Sequence, residues 1–126
     1  MCIRDSYLTV DESWQLLAGL RGAPGWDGRP LREALGLPGH IKLSAASDGQ
    51  ARKAELLAAL AGDPPVLLLD EPLALMDAAT VALLSDWVEG WRANRVVLAT
   101  SHEALPFAID SEATLVAGQP LRWTAR

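Results

Sequence analysis

Four consecutive apolar residues, Val66-Leu67-Leu68-Leu69, lie between a helix-breaking Gly62-Asp63-Pro64-Pro65 and the acidic pair Asp70-Glu71. A run this short, without a polar alternate, reads as a strand buried on both faces, as in a parallel sheet. A second such run, Val96-Val97-Leu98 within residues 95–100, follows one helix later. Asp77 has the chemistry of an N-cap for that helix, over about 78–92, with Val81, Leu84, Val88 and Trp91 on one stripe. Strand, helix and strand in this order predict a parallel crossover and an α/β core. Beyond it the pattern predicts a short helical segment at 103–108 and a third strand at 113–117. Gly118-Gln119-Pro120 then turns into a weak last strand at 121–123.

Upstream, Thr9 and Glu12 have capping-box spacing ahead of a helix to Leu20, with Trp14, Leu17 and Leu20 near one face and Leu16 broadening it. Residues 21–30 are rich in Gly and Pro and read as a loop. A short helix at 31–37 is ended by Gly36 or Pro38, and 39–46 is a connector. Ser47-Asp48-Gly49-Gln50 repeats the capping-box spacing and opens a helix to about Ala61, with Leu56, Leu57 and Leu60 on its apolar side. No apolar run reaches the roughly 18 residues of a membrane helix. Eleven Lys and Arg face sixteen Asp and Glu, a net charge of −5, so no nucleic-acid partner is expected. The single cysteine, Cys2, excludes an intramolecular disulfide framework and a Cys-rich metal site. These features together read as a cytosolic domain.

Three features carry chemistry. In an open parallel sheet, ligands bind beyond the carboxyl ends of strands, where Asp70 and Glu71 fall. One carboxylate there suits a metal-bound phosphate and the other a water, as phosphoryl transfer requires; the alternative is an acidic turn that caps the next element. Ser47 to Gln50 open a helix whose unpaired N–H groups suit a phosphate, with Gly49 admitting close approach; the alternative is a plain N-cap. His102 follows the second apolar run, within reach of the acidic pair if the strands are neighbours; the alternative is a solvated loop histidine.

Taken in order, S-D-G-Q, a helix, V-L-L-L-D-E-P, A-L-M-D and S-H resemble the ATP-binding cassette (ABC) ATPases, the motor subunits of ABC transporters. Ser47–Gln50 is similar to their signature motif and Val66–Asp70 to the Walker B strand. Ala74-Leu75-Met76-Asp77 is similar to the D-loop, and His102 to the switch histidine. Residues 7–20 resemble the segment after the Q-loop, and the likeness extends to about residue 118. It implies part of a P-loop NTPase-type parallel sheet with flanking helices. Residues 7–61 would belong to the ABC helical subdomain and 62–126 to the C-terminal part of the ATPase core. It also implies ATP and Mg²⁺ as cofactors. Asp70 would hold Mg²⁺ through water, Glu71 would polarise the attacking water, and His102 would contact the γ-phosphate. Ser47, Gly49 and Gln50 would close on the nucleotide of a second ABC ATPase subunit in a head-to-tail dimer, and Asp77 would connect the two sites. Transmembrane permease subunits would be the other partners, holding the protein at the cytoplasmic face of the membrane.

Some residues depart from the family pattern. Ala46 stands where Leu is usual, Asp48 replaces the first glycine of the signature pair, and Met76 replaces Leu. No G-x-x-x-x-G-K-[S/T] phosphate loop occurs in the chain. Met1-Cys2-Ile3-Arg4-Asp5-Ser6 resembles one reading frame of a sequencing-library adapter. The expectation is therefore a truncated fragment, inactive by itself. The rival readings are a non-transport ABC-type ATPase, in DNA repair or on ribosomes, and a non-catalytic half-cassette that serves dimerisation.

Overall fold

The computed structural model describes residues 7–126; the adapter-like hexapeptide with Cys2 lies outside the described residues. Helix α1 spans Val10–Leu20, and both hydrogen bonds of its capping box form between Thr9 and Glu12. It buries Val10, Trp14 and Ala18, spaced one turn apart, whereas Leu16 and Leu20 remain exposed. Leu17 packs against the core beside Trp14, so the expected face holds at these two positions and fails at Leu16 and Leu20. The small Ala18 lies against the turn at Gly62, so backbones approach closely there.

Helix α2, Arg29–Ala34, begins two residues earlier than its apolar pattern suggests, because Pro30 suits the first turn, where its missing N–H is not needed. Gly36, at φ 65°, ends it before Leu37. A 3₁₀ turn at Leu43–Ala45 occupies part of the expected connector. Trp26 packs edge-on against Trp14, with ring centres 5.6 Å apart. A Cβ on Gly28 would come within 2.7 Å of both rings, so no larger residue fits without displacing them.

Helix α3, Asp48–Leu60, is the centre of the molecule. It buries Ala51, Ala54, Leu56, Leu57, Ala58 and Leu60 over a wide arc. Arg21 donates to the carbonyls of Ala58 and Ala61 at 2.8 and 2.7 Å, occupying acceptors that the helix end leaves open. Strand β1, Val66–Asp70, and strand β2, Val96–Thr100, pair in parallel across helix α4, Ala78–Trp91. The chain is therefore mixed α/β, with a parallel two-stranded sheet and flanking helices. One apolar cluster joins α1, α3, β1 and α4 through Trp14, Leu57, Leu67, Leu84 and Val88. Among the described residues no helix is long and apolar enough to cross a membrane.

Burial of both strands on two faces is not observed. Leu67 and Leu69 enter the core, while Val66 and Leu68 alternate outward beside Val96 and Leu98, and Leu68 is 70% exposed. Helices supply apolar cover on one side of the sheet, and among the described residues nothing equivalent covers the other. The C-terminal expectations also change. Residues 103–108 form bends, because Pro106 removes a helical donor and disfavours helix at Leu105, while Ser101 Oγ accepts from Glu103 N at 3.1 Å. Residues 113–117 and 121–123 are not strands. The ladder is instead a two-residue antiparallel pair, β3 at Ser111–Glu112 and β4 at Thr124–Ala125. Leu115 and Val116 are apolar yet find no partner strand, and without partner hydrogen bonds an extended segment is not a sheet.

Candidate functional site

Parallel register aligns Asp70 with Thr100, so the two polar strand ends meet where both apolar runs stop. Thr100 Oγ1 donates to Asp70 Oδ1 and also accepts from the Glu71 amide at 3.2 Å. The same amide donates to the Thr100 carbonyl at 3.2 Å. Glu71 therefore turns the chain with φ at 46°, a left-handed conformation that costs a non-glycine residue about 1–2 kcal/mol. The turn sends its carboxylate towards the loop after β2, where His102 Nε2 lies 3.5 Å from Glu71 Oε1. His102 is almost fully solvent-exposed at 96%, so it is accessible to a ligand. Asp70, Glu71 and His102 are thus brought together at the carboxyl ends of the two strands.

The second group gathers at the start of α3. Ser47 Oγ accepts from the Gln50 amide at 3.2 Å, and Gln50 Oε1 accepts from the Ser47 amide at 3.0 Å. Both side chains are engaged in a reciprocal cap that holds the helix start without needing a ligand. Gly49 faces the following loop, where a Cβ would meet the Leu75 carbonyl at 3.5 Å. Leu75 has φ at 63°, a second left-handed residue in the loops around the acidic pair. Asp48 sits in the first helical turn, where a carboxylate is favoured by the helix dipole.

Asp77 joins the two groups. It caps α4 by accepting from Thr80 N and Thr80 Oγ1 at 2.8 Å each, and accepts from Lys53 Nζ of α3 at 2.9 Å. The Lys53 ammonium, then the two Thr80 donors, hold its carboxyl well below the usual carboxylate range. A folded-state value below the unfolded one stabilises the fold above the unfolded pKa and is lost as acid protonates the group. The melting-temperature difference between the native chain and Asp77→Asn is therefore expected to be constant above about pH 5 and to shrink below about pH 4. A difference that grows on acidification would contradict this assignment.

Among the described residues no three His, Cys, Asp or Glu side chains cluster as a metal cage. Mg²⁺ is commonly bound by one or two carboxylates together with substrate phosphates, and Asp70 at a strand end supplies a hard oxygen donor of that kind. The adjoining cleft, lined by Arg52, Glu55, Leu56, Leu68 and Asp70, has a volume of about 110 Å³. That is well below the roughly 300 Å³ of ordinary ligand pockets, so it does not enclose a nucleotide by itself. Three residues of this region were not singled out from the sequence: Thr100, Arg52 and Lys53. Only Thr100 carries a sequence signal, its place before His102 at the end of the second apolar run. The two cations look there like ordinary surface positions of an amphipathic helix.

No family model matches the chain. Among curated proteins it is 32% identical over 103 residues to the cholesterol transporter ABCA5 of Rattus norvegicus, a match covering 75% of this chain and 6% of that protein. It is 42% identical over 71 residues to the ATP-binding protein Uup of Escherichia coli, covering 55% and 11% respectively. It is 33% identical over 105 residues to the cytochrome c biogenesis ATP-binding export protein CcmA of Rhizobium johnstonii, covering 78% and 49%. Two of these relatives are thus named for ATP binding and two for transport or export, and the chain spans at most about half the length of each.

Proposed function

We propose that residues 7–126 are the C-terminal part of an ABC transporter ATPase subunit, a protein that binds and hydrolyses ATP with Mg²⁺ and couples the cycle to transport. The convergence of Asp70, Glu71 and His102 at the carboxyl ends of two parallel strands is the observation that carries this reading. Asp70 would hold Mg²⁺, which would neutralise phosphate charge. Glu71 orients and deprotonates the attacking water, and His102 contacts the terminal phosphate. Ser47, Gly49 and Gln50 meet the nucleotide of a second ATPase subunit, and Asp77 links the two sites through Lys53 and α4. Permease subunits hold the assembly at the cytoplasmic face of the membrane.

Two further observations support a piece of a larger ATPase. The cleft beside Asp70 is too small for a nucleotide, and Val66, Leu68, Val96 and Leu98 form an uncovered apolar surface. An exposed sheet face of this kind is normally buried in α/β proteins. The adapter-like residues 1–6 would then be foreign, residues 7–61 part of the helical subdomain and 62–126 part of the ATPase core. The similarity to Uup, a protein named for ATP binding rather than transport, favours a non-transport ATPase as the second reading. A neighbouring gene for a polytopic membrane protein would decide for transport.

Sequencing the unbroken locus and assaying both forms tests the proposal. The longer reading frame is expected to encode a phosphate loop and to hydrolyse ATP. The 126-residue chain is expected to show no turnover above buffer, because the loop and lysine that carry most of the phosphate charge are not among its residues. Turnover by the short chain that Glu71→Gln abolishes, or a stop codon directly before Met1, would defeat the fragment reading.

A further inference from the structure

The carbonyls of Asp70 and Glu71 both accept from one guanidinium, Nη2 of Arg52, which projects from the second turn of α3. Its Nη1 is held at the same time by Glu55 Oε2 at 2.6 Å, one turn further along the helix. The Arg52 side chain is 24% exposed; its bonds to the Glu71 carbonyl and Glu55 are part-buried and that to the Asp70 carbonyl lies at the surface, and all are charge-assisted. The next residue, Lys53, reaches the other loop through Asp77. One helical turn thus ties down both ends of the segment from Asp70 to Asp77.

We propose that Arg52 is a positioning residue for the acidic pair, clamping the Asp70 and Glu71 carbonyls so that the Glu71 carboxylate stays directed at the reaction site. Its effect on hydrolysis rests on the ATPase reading above. Glu71 sits in a left-handed conformation that the chain does not favour, so the turn needs tethers on both sides of the residue. Thr100 supplies them to the amide. The Glu71 carbonyl has Ala74 N at 3.1 Å and Arg52. Without the guanidinium, that carbonyl keeps one hydrogen bond from its own turn and the Asp70 carbonyl loses its clamp. A lysine reaches the same region, but its ammonium cannot reproduce the planar fork that spans Glu55 and two carbonyls.

Two measurements decide the proposal. In the 126-residue chain, Arg52→Ala is expected to speed amide exchange at Glu71 and Ala74 by about tenfold, with Leu67 to Leu69 changing less than about twofold. Arg52→Lys should fall between. Equal acceleration in both segments would mean a general loss of stability, and no acceleration would mean no clamp; either overturns the proposal. In the complete ATPase, Arg52→Ala should lower turnover per bound ATP about tenfold, with KM within about twofold and Arg52→Lys recovering part of the loss. A merely structural role would reduce the amount of ATP bound and leave turnover per bound ATP unchanged, which also overturns it. If the exchange result holds but the intact protein neither binds nor hydrolyses ATP, the clamp stands and the ATPase reading is what fails.

Discussion

If the chain is part of the ATPase proposed above, replacing Glu71 by Gln in the longer protein is expected to cut ATP turnover by about 10²–10⁴-fold, with ATP affinity changed by less than about threefold. The substitution keeps the size and hydrogen-bonding shape of the side chain and removes its basicity. Glu71 is placed for a base by its turn: the amide is fixed to Thr100, the carboxylate stands 3.5 Å from His102, and the side chain is 36% exposed. It is thus open to a water, whereas Asp70 beside it already accepts a bond from Thr100. On the function proposed above, that difference suits Asp70 to the metal and Glu71 to the water. Asp70→Asn is expected to act differently, weakening Mg²⁺-dependent nucleotide binding as well as turnover. Single-turnover hydrolysis alongside equilibrium ATP binding tells the two apart. Native turnover in Glu71→Gln would remove Glu71 from the chemistry.

Leu84→Ala is expected to destabilise the chain by about 2–5 kcal/mol, read as a fall in the urea midpoint. Leu84 is fully buried in α4 and belongs to the same cluster as Leu67, Leu69 and Val88. Removing three carbons there leaves a hole in the packed cluster. Small domains have only about 5–15 kcal/mol in total, so the variant should be largely unfolded if the chain starts at the low end. Leu68→Ala supplies the contrast. Leu68 is one residue from Leu67 in β1 but points to the open face, so its truncation should cost less than about 0.5 kcal/mol in the 126-residue chain. In a longer protein that covers this face, the same substitution should cost as much as Leu84→Ala. Equal, small effects of Leu68→Ala in both forms would count against a covering segment.

The elements that the sequence foretold are those whose causes are local. The capping boxes at Thr9 and Ser47 each need only residues three positions apart, and both form as the spacing predicts. Asp77 caps α4 for the same reason. The crossover from β1 to β2 follows from two apolar runs and the helix between them, because a polar face was nowhere available to either strand. Where local signals compete, the structure departs from the pattern. Apolar residues at 113–117 satisfied the pattern of a strand, but a strand exists only through its partner, and that partner is not specified by the segment itself. Pro106 overruled a helical pattern that had too few residues to nucleate.

The positions of the site residues along the chain were legible, since a motif is a string. The approach of His102 to the acidic pair was legible too, through neighbouring strands; the individual bonding partners were not. Nothing in residues 66–72 says that Thr100 will lie opposite Asp70 with a bond to it, because register is set by how two strands and a helix pack together. Arg52 and Lys53 carry no signal as tethers: a long cation on a helix surface has many rotamers, and only the neighbours that α3 meets select one. The open face of the sheet escaped prediction for the converse reason. Apolarity records what a strand is suited to, whereas burial depends on what is present to cover it.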